Sequence, residues 1–163
     1  MAIDETDRVH LRHAVELARE AVDAGDEPFG SVLVGPDGSV LQAARNEAVS
    51  RNATLHPELT LAQWAGDHLD PATRAGSTVY TSGEHCPMCS AAHAWVGLGR
   101  IVFASSGAQT VAWAAELGAE PSPVAALSIT DVAPGIPVDG PDEELAEQVH
   151  GLHRRFRGAA DQG

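Results

Sequence analysis

Apolar positions recur at helical spacing near the start of the chain. Leu11, Ala14, Val15, Ala18, Ala21 and Val22 form one stripe between about Asp7 and Ala24, and Gly25 stands where such a helix would close. Ser31-Val32-Leu33-Val34 and Ser39-Val40-Leu41-Gln42-Ala43-Ala44 flank Gly35-Pro36-Asp37-Gly38, which predicts two strands and a tight turn. Asn46 falls just past the second strand. A second helix is predicted from near His56 through Leu59, Ala62, Ala65 and Leu69, stopping before Pro71. Ser77–Thr81 reads as a short strand, Cys86 to about Val96 as a helix, and Arg100–Ala104 as another strand. A weaker helix is expected from about Ala108 to Leu117, ending at Gly118. The stretch Val124–Val132 is expected to contain a strand with edges made irregular by Pro121, Pro123, Pro134 and Pro137. A last helix is predicted from Pro141 as its first residue, with Leu145, Val149, Leu152 and Phe156 on one face. The order αββαβαβαβα predicts a three-layer α/β/α sandwich around a mixed sheet of about five strands.

Composition narrows the class. A chain of 163 residues suits one domain, expected to span 1–163, whose C-terminal helix over about 141–157 can cap a site, its own or a partner's. No apolar run approaches the ~18–20 residues that a membrane span requires, and the acidic start from Met1 to Asp7 is unlike a signal peptide, so a cytoplasmic protein is expected. Net charge is −13, from 23 acidic and 10 basic residues, which repels a phosphate backbone. Arg154, Arg155 and Arg157 form the one basic cluster, at a place where they complement a helix C-terminus. Small, weakly charged substrates fit this balance better than nucleic acid does.

The chemistry concentrates in His56-Pro57-Glu58 and Cys86-Pro87-Met88-Cys89. Two cysteines this close are no disulfide framework, and a lone Cys-x-x-Cys can be a redox pair. His56 supplies a third ligand type, and three protein ligands leave the fourth tetrahedral position of Zn²⁺ open for water, the inventory of a catalytic zinc site. No second Cys-x-x-Cys or His pair completes a closed structural site. Cys86 and Cys89 at i, i+3 in the first turn of a helix put both sulfurs on one side, where the helix N-terminus lowers thiol pKa. Glu58, two residues from His56, is poorly placed to ligate and suited to carry protons; its plain alternative is a first-turn glutamate favoured by the helix dipole.

His-x-Glu followed by a Cys-x-x-Cys is the signature of zinc nucleobase deaminases. With Pro28-Phe29-Gly30-Ser31-Val32, Asn46, Tyr80-Thr81-Ser82-Gly83-Glu84 and Gly99-Arg100-Ile101-Val102-Phe103, the chain resembles the cytidine-deaminase superfamily. The resemblance falls in the branch of guanine, cytosine and tRNA-adenosine deaminases and covers about residues 10 to 105. It implies a cytidine deaminase-like fold with a five-stranded sheet, Zn²⁺ on His56, Cys86 and Cys89, Glu58 as acid and base, and usually a homodimer. It places Asn46 against the substrate's ring edge and the backbone around Glu84 near the leaving amine. Trp95 is similar to a pocket tryptophan of bacterial guanine deaminases, though its helix position also suits plain core packing. Phe29 and Phe156 are further candidates around the base, Phe156 also as helix packing. Two positions depart from the pattern: Pro57 replaces a small residue, and His85 replaces the proline before the first cysteine.

The activity implied is that of a hydrolase on the C–N bond of a cyclic amidine: zinc-dependent deamination of a free nucleobase with release of ammonia. A guanine-type purine is favoured over cytosine, isoguanine or a triazine. A tRNA-adenosine deaminase is the alternative in the same class, and a non-catalytic zinc-binding dimerisation module the alternative outside it.

Overall fold

The computed structural model describes residues 2–161, so Met1 of the acidic start and residues 162 and 163 of the expected domain lie outside the described residues. The chain runs α1 (Glu5–Asp23), β1 (Gly30–Val34), β2 (Val40–Arg45), α2 (Pro57–His68), α3 (Pro71–Gly76), β3 (Thr78–Gly83), α4 (Pro87–Trp95), β4 (Ile101–Ser105), α5 (Gly107–Glu116), α6 (Ile129–Val132), β5 (Val138–Asp139) and α7 (Glu143–Asp161). The five-stranded sheet has the order β2-β1-β3-β4-β5. β1 pairs antiparallel with β2 and β3, while β4 is parallel to β3 and β5, so the sheet is mixed as expected. Among the described residues no helix is long and apolar enough to cross a membrane.

Strand alternation sorts side chains to two faces. Val32, Val34, Tyr80, Val102 and Ala104 join Leu11, Ala14, Val15 and Ala18 of α1 and Leu145, Val149 and Leu152 of α7 in one core cluster. Leu33 and Val79 join Leu61, Ala62 and Ala65 of α2 and Leu98 in another. α1 lies against β1 so closely that a Cβ on Gly30 would sit 2.4 Å from the Ala14 carbonyl oxygen and 2.5 Å from Leu17 Cβ, which is why the strand begins with glycine.

Asp4 starts α1 earlier than the apolar stripe predicts: it accepts the Asp7 N–H, and Asp7 accepts the Asp4 N–H. Asp7 is then buried under Tyr80, whose hydroxyl donates to it at 2.9 Å, and Arg100, which donates at 2.8 and 3.0 Å. Arg100 also reaches Asp139, tying β4 and β5 to the head of α1.

Three expectations are corrected. Asp70 caps an additional short helix, α3, directly after the predicted stop before Pro71. The strand expected within Val124–Val132 is absent: Ser128 and Asp131 form a capping box that turns Ile129–Val132 into α6, and the fifth strand is Val138–Asp139. Pro121 and Pro123 lack the N–H that a ladder needs, and Leu127 N–H is spent within a turn on Ala125 O. The last helix begins at Glu143 rather than at Pro141, because the Asp142 side chain accepts the Leu145 N–H and thereby occupies the cap.

Candidate active site

His56 and Cys86 share one local design. Each occupies the cap position before a helix, each is extended (φ −80°, ψ 139° and φ −68°, ψ 168°), and each is followed by proline as the first helical residue. Proline fixes a helical φ at its own position and disfavours the helical region for the residue before it. Pro57 and Pro87 therefore hold both side chains at helix N-termini, and neither spends its side chain on capping. α2 and α4 pack together, so these termini meet.

Cys86 Sγ and Cys89 Sγ lie 3.5 and 3.7 Å from His56 Nδ1. Zn–S of about 2.3 Å and Zn–N of about 2.0–2.1 Å at a tetrahedral angle require an S···N separation of about 3.6 Å. The spacing matches that requirement, and both cysteines are free thiols. Among the described residues, His56, Cys86 and Cys89 are the group whose donor atoms converge as metal ligands would, and Glu58 is not part of it. The residues present fit Zn²⁺ with an open coordination position. The three groups also couple electrostatically. Hydrogen bonds from Cys89 and His56 hold the Cys86 thiol down to about 4, and that thiolate holds His56 up to about 9 and pushes Cys89 up.

Glu58 is buried at the start of α2. Burial raises its pKa, against the opposing pull of His56 and of the Thr81 hydrogen bond. Its Oε1 lies 2.9 Å from Thr81 Oγ1 and 3.1 Å from Ser31 Oγ, and the two hydroxyls lie 2.8 Å apart. Ser31 and Thr81 are direct partners across β1 and β3, on the sheet face that carries Leu33 and Val79 toward α2. Both are fully buried. Sequence reading placed Ser31 and Thr81 only within motifs and missed this contact, since nothing local links hydroxyls so far apart in the chain.

A half-open cavity of about 720 Å³ adjoins the trio, lined by His56, Glu58 and Cys86, by Glu27, Phe29 and Glu84, by Gly107–Val111 and Val124–Ser128 residues, and by Arg157. Phe29 is thus in the cavity wall. Glu84 is too, but its carboxylate is committed, accepting the Gly107 N–H at 2.7 Å and the Ile129 N–H at 3.0 Å. Asn46 is buried; its Oδ1 accepts the Ala48 N–H at 2.8 Å while its Nδ2 finds no partner among the described residues. Trp95, at the end of α4, is 87% exposed and lies outside the cavity wall. Phe156 packs against the α1/α7 core, and the neighbouring Arg157 guanidinium lies over its ring. His85 is buried edge-on to His93 with both ring nitrogens unpartnered, and burial drives its pKa well below the ordinary value.

Residues 4–105 match the family model of the cytidine and deoxycytidylate deaminase zinc-binding region. A probable cytosine deaminase of Schizosaccharomyces pombe is 34% identical over 107 residues, covering 64% of this chain and 63% of the relative. The guanine deaminase of Bacillus subtilis is 34% identical over 96 residues, covering 58% of this chain and 62% of that one. The match thus spans less than two thirds of these relatives' lengths. Among solved structures, a guanine deaminase from Nitrosomonas europaea superimposes with a TM-score of 0.69 at 24% identity over 97% of this chain and 86% of its own, a likeness of fold. The Bacillus subtilis guanine deaminase structure gives a TM-score of 0.57 at 34% identity over 68% of this chain and 69% of its own. With residues 4–105, more than half of its length, matching that model, the chain belongs to the cytidine and deoxycytidylate deaminase zinc-binding family.

Proposed function

We propose that the protein is a zinc-dependent hydrolytic deaminase of a free amino-heterocycle, a guanine-type purine foremost, exchanging an exocyclic amine for oxygen with release of ammonia. The observation that carries the reading is the placement of Glu58: a buried carboxylate beside the ligand trio, outside the ligand set, with one oxygen fixed by two hydroxyls. A structural metal needs no such group, which argues against a silent zinc module.

Bound by His56, Cys86 and Cys89, Zn²⁺ would supply the Lewis acidity that makes water a competent nucleophile near neutral pH. Glu58 takes the first proton that water gives up and delivers it to a ring nitrogen, then takes the second from the added oxygen and passes it to the amine as the C–N bond breaks. A carboxylate with its pKa raised by burial is a better base for this than an exposed one. Ser31 and Thr81 keep Oε1 fixed, leaving Oε2 for the exchange. Phe29 supplies an aromatic wall, and Asn46, buried and not itself among the lining residues, holds an amide without a partner among the described residues as a donor for a ring acceptor. Glu84 contributes its backbone and its hold on the cavity wall rather than a free carboxylate. Trp95 and Phe156 have no part in this reading, one standing outside the cavity wall and the other packed against the α1/α7 core.

The charge balance favours a small molecule over tRNA. Of the C-terminal arginines, Arg155 pairs with Asp23 and Arg154 with Glu147, leaving little basic surface for phosphates. A homodimer is the expected assembly. Ammonia release from a panel of free bases, nucleosides and a tRNA anticodon stem-loop tests the reading: turnover of guanine or a similar base is expected, and salt-sensitive tight tRNA binding would overturn it. Asn46→Ala is expected to raise KM well before it lowers stability.

A further inference from the structure

The geometry points to Glu84 as a positioning residue: one carboxylate, two residues ahead of Cys86, holds in place both segments that build the outer wall of the cavity. This rests on the deaminase reading and assigns to Glu84 a task in substrate capture that involves no contact with the reacting atoms.

Glu84 follows β3 directly, and its own N–H donates to Ser105 O at 2.8 Å, so its backbone is part of the sheet end that leads into α4. Its Oε2 accepts the N–H of Gly107 and its Oε1 the N–H of Ile129. Gly107 is the first residue of α5, and Ile129 the first of α6. These are amides that a helix leaves without an internal partner, and each points a partial positive charge at the carboxylate. The other free amides are served locally: Ser106 with Gln109 and Ser128 with Asp131 form reciprocal capping boxes. Glu84 reaches from the junction of β3 and α4 to the first amides of both helices.

Apart from Trp113 of α5, which stacks on His150 of α7 and packs against the α1/α7 core, little else holds this wall. α5 has no buried residue, and Val111, Val124 and Leu127 of the wall are about half exposed although they line the cavity. Between α5 and β5, Ile129 is the large side chain that is fully buried, in a small cluster with Ile101 and Phe103. A segment with few buried contacts opens locally at low free energy, so a charge-assisted hydrogen bond at its root sets how often it opens. Substrate reaching the ligand trio passes this wall, so its looseness is felt in capture before it is felt in chemistry.

Glu84→Gln keeps the shape but turns one acceptor into a donor that faces an N–H. Gly107→Pro keeps the Glu84 side chain but removes one of its two partners and sets a ring carbon where that N–H met Oε2, at a first helical position that accepts proline. Zinc-loaded full-length protein and both variants are compared by hydrogen exchange, zinc analysis and steady-state kinetics on the amino-heterocycle that the wild type turns over. Expected are zinc near one per chain throughout, exchange over 119–131 faster by about tenfold in Glu84→Gln with β3 and α4 unchanged, and KM raised by about tenfold with kcat within about threefold. Gly107→Pro is expected to move the same quantities less. Unchanged exchange over 119–131 overturns the clamp, and faster exchange with unchanged KM overturns its role in capture. If the wild type turns over no amino-heterocycle, the deaminase reading fails and the capture role with it, while the exchange result still decides the clamp.

Discussion

Thr81 Oγ1 lies 2.9 Å from Glu58 Oε1 on the face of the sheet that carries Leu33 and Val79 toward α2. The contact exists because β1 and β3 pair Ser31 directly with Thr81, and α2 delivers Glu58 onto that pair. Thr81→Val keeps the side-chain shape and removes the donor. A hydrogen bond to a charged group contributes about 1.5–3 kcal/mol, so kcat is expected to fall by about tenfold or more while zinc content holds. Ser31→Ala is expected to fall in the same direction. Kinetics of the two single variants and the double variant check this, and an unchanged kcat in both would detach the hydroxyls from Glu58 function.

The network of Asp7, Tyr80, Arg100 and Asp139 predicts a stability effect far from the site. Arg100→Met leaves Asp7 buried without its two charged donors, a loss on the order of 3 kcal/mol, whereas adding Asp7→Asn to that variant is expected to recover part of it. Burial pushes the Asp7 pKa up, but the bonds from Arg100, Asp4 and Tyr80 outweigh it and hold it below 3.8. Its folded value being the lower one, its contribution is present above about 3.8 and fades as pH falls through the folded value. Urea unfolding of the three proteins at pH 7 measures the energies.

How far the chain alone discloses this arrangement depends on the range of the interaction. The α1 stripe from Leu11 to Val22 and the short apolar run of β1 are local patterns, and both elements appear close to where these put them. His56, Cys86 and Cys89 are legible because ligand chemistry restricts the residue types, and the prolines after His56 and Cys86 fix the backbone that aims them. Ser128-x-x-Asp131 carries a capping signal that apolar composition overrode in the expectation of a strand. β5 has two residues, too few for any alternation to show. The double attachment of Glu84 and the Ser31–Thr81 pair arise only when strands and loops distant in sequence are brought together, so no spacing announces them. Trp95 ends a helix of nine residues, and its apolar character says nothing about which neighbours lie beyond that end.

His153 predicts a pH dependence of stability. It is packed among Phe29 and Trp113, its Nε2 has no partner among the described residues, and burial, then Arg157 and His150, push its pKa down to about 4. The folded value lies below the ordinary 6.5, so folding favours the neutral ring. That contribution is present above about pH 6.5 and is lost as pH falls toward 4, up to about 3 kcal/mol in all. Denaturant midpoints between pH 7 and pH 4 measure it. His153→Phe is expected to flatten the slope by close to one proton, leaving what His85 and the other buried histidines contribute, and an unaltered slope would contradict the assignment.

The central claim is that His56, Cys86 and Cys89 hold zinc for a reaction in which Glu58 moves the protons. Metal content and ammonia release from guanine-type bases, measured side by side on the wild type, the chelated protein and Glu58→Gln, test it most directly. The expected result is about one zinc per chain in the wild type and in Glu58→Gln, with turnover in the wild type abolished by chelation and restored by Zn²⁺. Glu58→Gln should lose at least ~10²-fold in kcat. A wild type that binds no zinc, or a Glu58→Gln variant that keeps its activity within about tenfold, would contradict it.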